Sequence, residues 1–297
     1  MKNEHKLDLL KRLLAEEGPA YRMDLSYVGR SFQGFQAQSS KKTIQDSLEA
    51  ALKILLGHPT RVRGASRTDS GVHAQHQVAL FRTKKKFDPR WLFSLNALTP
   101  ESIGIQSVQA CPFDFDPIED SQGKAYRYRL WQGKCFNPFV RDYVWPVSHR
   151  FNVAALAQEA QSFVGFHDFT AFCNKDSDAK TTKRRIFEVH VEQKGPLLDL
   201  WFSGAGFLKQ MIRIMVGTLV AIEKGHLPTG TVQALLAKAE ERKLAGMTAP
   251  PQGLSLVKVF YREIPKISSL LEEAKDSYSL SLYDDHEYIL GGGKKSD

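Results

Sequence analysis

Hydrophobic residues recur along this chain with two different periods, and the two periods predict separate strands and helices. In the segment YRMDLSY, residues 21–27, every second side chain is apolar, which predicts a strand with one buried face. In TIQDSLEAALKILLG, residues 43–57, apolar residues recur every three or four positions, which predicts a helix. Thr43 is suited to cap its start, and Gly57 to end it.

The same two periods predict further elements on both sides of the middle of the chain. Additional strands are predicted in IGIQSVQ, KAYRYRLWQG, RRIFEVHVEQ, LLDLWFSG and GLSLVKVFY, and additional helices in FLKQMIRIMVGTLVAIEKG and TVQALLAKAEERK. The segment KKKFDPRWLFSLNALTP predicts a basic, turn-rich connector that leads into a helical turn. Strands interspersed with helices in both halves predict an α+β fold with mixed, mostly antiparallel sheets.

Breaks in the pattern predict the domain organisation. The segment PFDFDPIEDSQG, residues 112–123, holds two prolines and four carboxylates and is typical of a link. It separates an N-terminal α/β half, residues 21–114, from a C-terminal α/β half, residues 115–264. Residues 1–20 have apolar positions at helical spacing and predict a helical extension. Residues 265–297 are polar, end in GGGKKSD, and predict a tail with little order.

Composition narrows the classes of function. Lysine and arginine outnumber the acidic residues 41 to 33, a net charge of +8, which favours a polyanionic partner such as nucleic acid. The three cysteines are widely spaced, so neither a disulfide framework nor a zinc site is indicated, and we expect a reducing cytoplasm: Cys111, Cys135 and Cys173. Charges interrupt each apolar run near the N-terminus, so neither a signal peptide nor a membrane span is predicted.

Two charged residues stand in unusual surroundings. Asp69 lies in SRTDSGVHA just ahead of an alternating apolar run, and its local chemistry alone favours an ordinary turn. Arg213 lies within the apolar helix segment MIRIMVG, on a stripe with Gly206, Gln210 and Gly217. A buried guanidinium needs a carboxylate partner, but an arginine can also extend along its own stem to solvent.

Six segments in order resemble the motifs of the tRNA pseudouridine synthase A family. SRTDSGVHA resembles that family's GRTDxGVHA signature, and the match continues from about residue 21 to 261 in YVGRSFQGFQAQ, TIQDSLEAAL, AYRYRL, FLKQMIRIMVG and APPQGLSLVKV. The resemblance implies an enzyme that isomerises uridine to pseudouridine in tRNA, at positions 38 to 40 of the anticodon stem-loop. It also implies no cofactor, two α/β halves flanking a basic cleft, and a cytoplasmic homodimer.

The resemblance assigns expected roles to four residues. Asp69 matches the family's catalytic aspartate, which acts as the nucleophile. Arg213 matches the arginine that pairs with it, and Tyr126 matches the tyrosine that packs against the target uracil. Arg67 is suited to fill the space that a flipped uridine leaves, because a planar cation stacks on bases. The basic runs Lys84–Lys86 and Lys183–Arg185 predict surfaces that follow RNA phosphates.

Two alternatives remain open from the sequence. His73 and His76 together with Asp69 suggest a metal-dependent hydrolase, although a spacing of three on a strand sends side chains to opposite faces and disfavours a metal site. Departures from the family pattern keep open an RNA-binding relative with weakened catalysis. Ser66 and Phe35 replace the usual Gly and Trp, and the segment FDPIEDSQGK before Tyr126 brings in Glu119 and Asp120.

Overall fold

The structure is a computed structural model that describes residues 18–132, 136–238 and 241–277. The chain divides into two compact units, Met1–Ile264 and Pro265–Asp297. The predicted N-terminal helix lies outside the described residues except for its last positions, as does Cys135. None of the described helices is both long enough and apolar enough to cross a membrane.

Within the described residues of the first unit, ten strands form one mixed sheet. The strands are β1 Ala20–Tyr27, β2 Val62–Gly64, β3 His73–Arg82, β4 Ile103–Ala110, β5 Gly123–Trp131, β6 Trp145–Pro146, β7 Gly165–Asp168, β8 Lys183–Lys194, β9 Leu197–Gly204 and β10 Leu254–Phe260. Eight of them are neighbours in the order β4-β1-β3-β10-β5-β9-β8-β7, while β2 pairs with β3 and β6 with β5. The β3–β10 and β5–β6 pairs are parallel and the others antiparallel, so the prediction of a mixed, mostly antiparallel α+β fold is confirmed.

Strand β10 joins the two sides of the sheet. It runs parallel to β3, with Ser255 opposite His73, and antiparallel to β5, with Leu256 opposite Tyr126. The strands from the first 110 residues lie on one side of it and β5, β9, β8 and β7 lie on the other. The beginning of β3 is therefore held close to the middle of β5.

Among the described residues, five α-helices accompany the sheet in the first unit, and a sixth lies in the second. They are α1 Ile44–Leu56, α2 Trp91–Leu98, α3 Val153–Gln161, α4 Met211–Glu223, α5 Thr231–Lys238 and α6 Ile267–Ser277. The predicted ends of α1 are confirmed, since the Thr43 hydroxyl accepts the Asp46 amide and Gly57 adopts φ +79°. The apolar face of β1 is fully buried, as its alternation predicted.

Two sequence predictions need correction. Helix α4 begins at Met211 and not at Phe207, because Gln210 adopts a left-handed conformation, φ +61°, which a helix interior does not allow. Gly206 and Gln210 therefore do not share a helical stripe with Arg213 and Gly217. Within the tail predicted to have little order, residues Ile267–Ser277 instead form helix α6, and the prediction for residues 278–297 lies outside the described part.

The backbone of α4 lies in direct contact with the segment that leads into β10. A Cβ atom placed on Gly217 would lie 1.8 Å from the Met247 carbonyl oxygen. The Ala249 amide donates to the Arg213 carbonyl at 3.0 Å, and the Gly246 amide donates to the Thr218 hydroxyl at 2.9 Å. Such close approach is possible only where the helix carries no side chain at position 217.

We expect Gly217→Ala to lower the free energy of unfolding by about 1–3 kcal/mol, the usual cost of overpacking a dense contact. Gly206→Ala is the matched control, because a Cβ at Gly206 meets nothing within 4 Å and its φ is not positive. Chemical denaturation of the two variants and the wild type measures the difference. Equal midpoints for both variants would contradict the close helix–segment contact.

Candidate active site

Asp69 lies in the loop between β2 and β3, and that loop is held against residues 29–35. The Thr68 carbonyl accepts the Phe35 amide at 3.1 Å, and the Gly71 amide donates to the Phe32 carbonyl at 3.2 Å. The Val72 amide closes a turn onto the Asp69 carbonyl at 3.1 Å, and Gly71 adopts φ +79°. The turn that the local sequence favoured is therefore present, and the backbone around it fixes where the carboxylate lies.

The Asp69 carboxylate forms an ion pair with Arg213 of α4. The Arg213 Nη1 lies 3.1 Å from the Asp69 Oδ2, and the Arg213 Nε donates to the Ala249 carbonyl at 2.8 Å. The Arg213 side chain is 11% exposed and that of Asp69 is 18% exposed. The ion pair expected for Arg213 is therefore present, and the alternative in which its guanidinium extends to solvent is wrong.

Burial and charge act on Asp69 in opposite directions. Loss of solvation raises the pKa of the carboxyl, while the positive charges and hydrogen bond of Arg213 and the charge of Lys209 lower it. Burial has the larger effect, so the pKa of Asp69 lies above the ordinary value of 3.8. The charges of Arg213 and Lys209 limit how far burial raises the pKa of this carboxyl.

Tyr126 is buried on β5, and its hydroxyl is hydrogen-bonded. The Tyr126 and Ser66 hydroxyl oxygens lie 2.7 Å apart, and the Phe207 ring packs edge-on at 5.1 Å. Burial raises the pKa of Tyr126, and the nearby negative charge of Asp69 adds to the effect. The departure at Ser66 thus has a structural consequence, because a glycine at this position could not bond to the tyrosine.

Arg67, two residues before Asp69, is exposed. Its guanidinium makes no hydrogen bond or ion pair with the residues that the structure describes. It therefore lies beside the ion pair without being part of it, and its donors are available to a ligand.

Two lysines near the site were not identified from the sequence. The Lys124 Nζ donates to the Ala65 carbonyl at 2.7 Å, and burial together with the charge of Arg184 lowers its pKa to about 8. Lys209 acts on Asp69 through its charge, and its Nζ donates to the Asp176 carbonyl at 3.2 Å. Lys124 could have been found from its spacing, since it lies two residues before Tyr126 and shares that face of the strand.

The histidines do not assemble with Asp69. The His73 Nδ1 accepts the Gly29 amide at 3.1 Å, while its Nε2 lies 3.2 Å from the Gln252 carbonyl. Burial lowers the pKa of His73 to about 4, so the ring is neutral and both nitrogens are occupied by backbone. The His76 Nδ1 accepts the Val259 amide at 3.3 Å. Across residues 18–132, 136–238 and 241–277, no group of three or more metal-ligating side chains is formed.

Both basic runs lie largely on the surface. Lys84, Lys85 and Lys86 are exposed, as are Lys183 and Arg185, whereas Arg184 is half-buried. Arg185 lies over the Phe166 ring at 5.7 Å from its centroid. Glu119 and Asp120 are also exposed, in an irregular segment whose Asp116 carboxylate pairs with Arg63 at 2.8 Å.

Comparison with known proteins identifies a family. A family model described as tRNA pseudouridine synthase matches residues 25–118 and 160–262. Curated tRNA pseudouridine synthase A proteins align over 80% of this chain: that of Geobacter sp. strain M21 is 39% identical over 97% of its own length, and that of Citrifermentans bemidjiense is 38% identical over 96%. The protein from Solidesulfovibrio magneticus is 42% identical, covering 81% of this chain and 90% of its own.

A chain in the crystal structure of a Cbf5-Nop10-Gar1 complex also aligns, with a TM-score of 0.35 and 12% identity over 80% of this chain and 48% of that one. The sequence matches carry the conclusion, since they extend over both sides of the sheet and include the segments that hold Asp69 and Arg213. This chain belongs to the tRNA pseudouridine synthase family.

Proposed function

We propose that this protein isomerises uridine to pseudouridine in tRNA, at positions 38 to 40 of the anticodon stem-loop, with Asp69 as the nucleophile. The observation that carries the proposal is the ion pair between Asp69 and Arg213, in a chain whose family performs this reaction. The reaction breaks the bond between the sugar C1′ and the uracil N1 and forms a bond from C1′ to C5. The C5 proton is lost and N1 gains one, so no redox partner is required.

Asp69 must be ionised to act as a nucleophile or to stabilise positive charge on the sugar. Arg213 favours that form, and it holds the carboxylate in one orientation through a planar group fixed at two atoms. A site that places charge before the substrate arrives does not need to reorganise during the reaction.

Tyr126 supplies a neutral aromatic surface for the uracil. Its raised pKa keeps the hydroxyl protonated at neutral pH, so the phenolate form that would remove the C5 proton is not populated. The ring is held by Phe207 and Ser66, and a ring that cannot rotate restricts where the uracil lies. Tyr126 therefore positions the base.

Arg67 fills the space left when the target uridine leaves the stack of bases, and the exposed basic runs contact phosphates. The protein acts on its tRNA substrate as a homodimer in the cytoplasm. An RNA-binding relative with weakened catalysis is the alternative, and mapping pseudouridine in tRNA with and without the gene distinguishes the two. Absence of any difference at positions 38 to 40 would favour the alternative.

The nucleophile assignment predicts that Asp69→Asn reduces turnover by at least about a hundredfold, corresponding to about 2.7 kcal/mol of transition-state stabilisation. The affinity for tRNA changes little, because the phosphate contacts are made elsewhere. Single-turnover pseudouridine formation and filter binding measure the two quantities. Residual turnover above a few per cent of wild type would contradict the assignment of Asp69 as the nucleophile.

The orienting role of Arg213 predicts that Arg213→Lys severely lowers turnover while the protein stays folded, since an ammonium group cannot contact both Asp69 and the Ala249 carbonyl. Arg129→Lys is the matched control. Arg129 forms a two-point ion pair with Asp199 at 2.8 Å for each bond and is 14% exposed, but its side chain lies on the face of β5 opposite to that of Tyr126. We expect the control to lower the melting temperature more than the turnover. A similar loss of turnover in both variants would point to disruption of the fold.

The raised pKa of Asp69 predicts the acid side of the pH profile. Activity requires the ionised carboxylate, so it is present at higher pH and is lost as pH falls through a pKa above 3.8. Because Lys209 lowers this pKa, Lys209→Gln should move the acid limb to higher pH. Lys243→Gln is the control, as Lys243 is exposed and paired with Glu241. An unmoved limb in Lys209→Gln would show that another group limits the rate.

A further inference from the structure

A short aromatic segment, Phe136–Tyr143, lies beside the loop that carries Asp69. It falls between the two stretches that the family model matches, and none of the roles above involves it. Three of its side chains are aromatic and partly or largely exposed: Phe136 at 38%, Phe139 at 89% and Tyr143 at 44%. Phe139 is the most exposed of the large hydrophobic residues in the described part of the chain.

Contacts at the end of this segment place it next to the candidate active site. The Tyr143 ring packs on His73 with centroids 5.2 Å apart, and His73 follows Asp69 by four residues. Asp142 forms an ion pair with Arg30. Arg30 lies in the turn whose Gly29 amide donates to the same histidine. The segment is therefore attached to the loop system that positions Asp69.

The segment presents Phe139 on a fixed backbone. The Asn137 side-chain oxygen accepts the Phe139 amide at 2.9 Å, and the neighbouring Val140 is only 4% exposed. Pro138 restricts the backbone just before the ring. A side chain that is exposed on a backbone already ordered loses little conformational entropy when it binds.

Charge around the ring favours nucleic acid as the occupant. Arg141 is exposed, and it has no carboxylate partner among the residues that the structure describes. The acidic residue of the segment, Asp142, is already neutralised by Arg30. An exposed aromatic ring beside a free cation is the combination that stacks unpaired bases and contacts their phosphates.

We propose that Phe139 stacks on an unpaired base of the tRNA substrate and that Arg141 contacts an adjacent phosphate. The inference rests on the proposed function and extends it by naming a second contact with the RNA outside the reacting uridine. The segment binds the tRNA near the target uridine while Asp69 reacts with that uridine.

The test uses the full chain and an unmodified transcript of a tRNA with uridine at positions 38 to 40. Phe139→Ala should raise the Kd about tenfold, within the range measured for loss of one base-stacking ring. Phe139→Tyr should bind like the wild type because it keeps an aromatic face, whereas Phe139→Leu should bind like the alanine variant. Phe93→Ala is the matched control, since Phe93 is 77% exposed on α2 and has no role in the proposed site.

A fluorescence measurement places the ring beside the RNA directly. Phe139→Trp should lose emission when tRNA is added, after subtraction of the signal from the four native tryptophans. Phe93→Trp should not respond. Arg141→Gln should reduce the slope of log affinity against log salt by about one unit, as expected for one lost phosphate contact.

Each outcome decides between the proposal and its competitors. Equal affinities of the wild type and Phe139→Ala would overturn it. Full binding by Phe139→Leu would show general apolar contact and not stacking. A change in sedimentation of Phe139→Ala with unchanged tRNA affinity would assign the segment to contact with a second copy of the chain. If the wild type forms no pseudouridine in the transcript, the proposed function fails, and this result is separate from the comparison of Phe139 variants.

Discussion

The arrangement of this molecule depends on a pair of opposite charges that come from distant parts of the chain. Asp69 and Arg213 are 144 residues apart in sequence, and each is largely removed from water. A buried charge without its partner is unfavourable by several kcal/mol, so the loop that carries Asp69 and the helix that carries Arg213 must stay in register. The close contact of Gly217 with Met247 and Ala249 holds α4 against this segment. Because the Ala249 carbonyl accepts the Arg213 Nε, the same contact helps to keep the guanidinium in place.

Polar groups around this pair are satisfied mostly by backbone. Lys124 donates to the Ala65 carbonyl, His73 contacts two backbone groups, and Tyr126 is hydrogen-bonded to Ser66. Such bonds leave few side chains that can rearrange, and a low local dielectric strengthens each of them. The result is a site with fixed dipoles around one carboxylate.

Local periodicity was sufficient to predict most of the elements of this fold, because the face of each strand or helix is encoded by neighbouring residues. The ends of α1 and the buried face of β1 are examples. The start of α4 was not predictable, since the left-handed Gln210 interrupts a continuous apolar pattern, and its side-chain oxygen accepts a hydrogen bond from the side-chain amide of Asn174, 36 residues away. Arg213 shows most clearly what local sequence patterns do not predict. Its apolar neighbours indicated that a partner was needed, but only the family resemblance pointed to Asp69, and the backbone bond to Ala249 left no trace in the sequence.

The position of β10 has a consequence for biosynthesis. This strand is formed by residues 254–260, yet it lies in the middle of the sheet, between β3 and β5. During translation, one edge of β5 and the beginning of β3 therefore lack this partner until nearly the whole described chain has been made. Partly synthesised chains expose a template for association with other strands, which is a known route to aggregation. Truncation just before β10 removes the strand that links β5 to the beginning of β3, so the sheet of an incomplete chain lacks the connection between the strand of Tyr126 and the loop of Asp69.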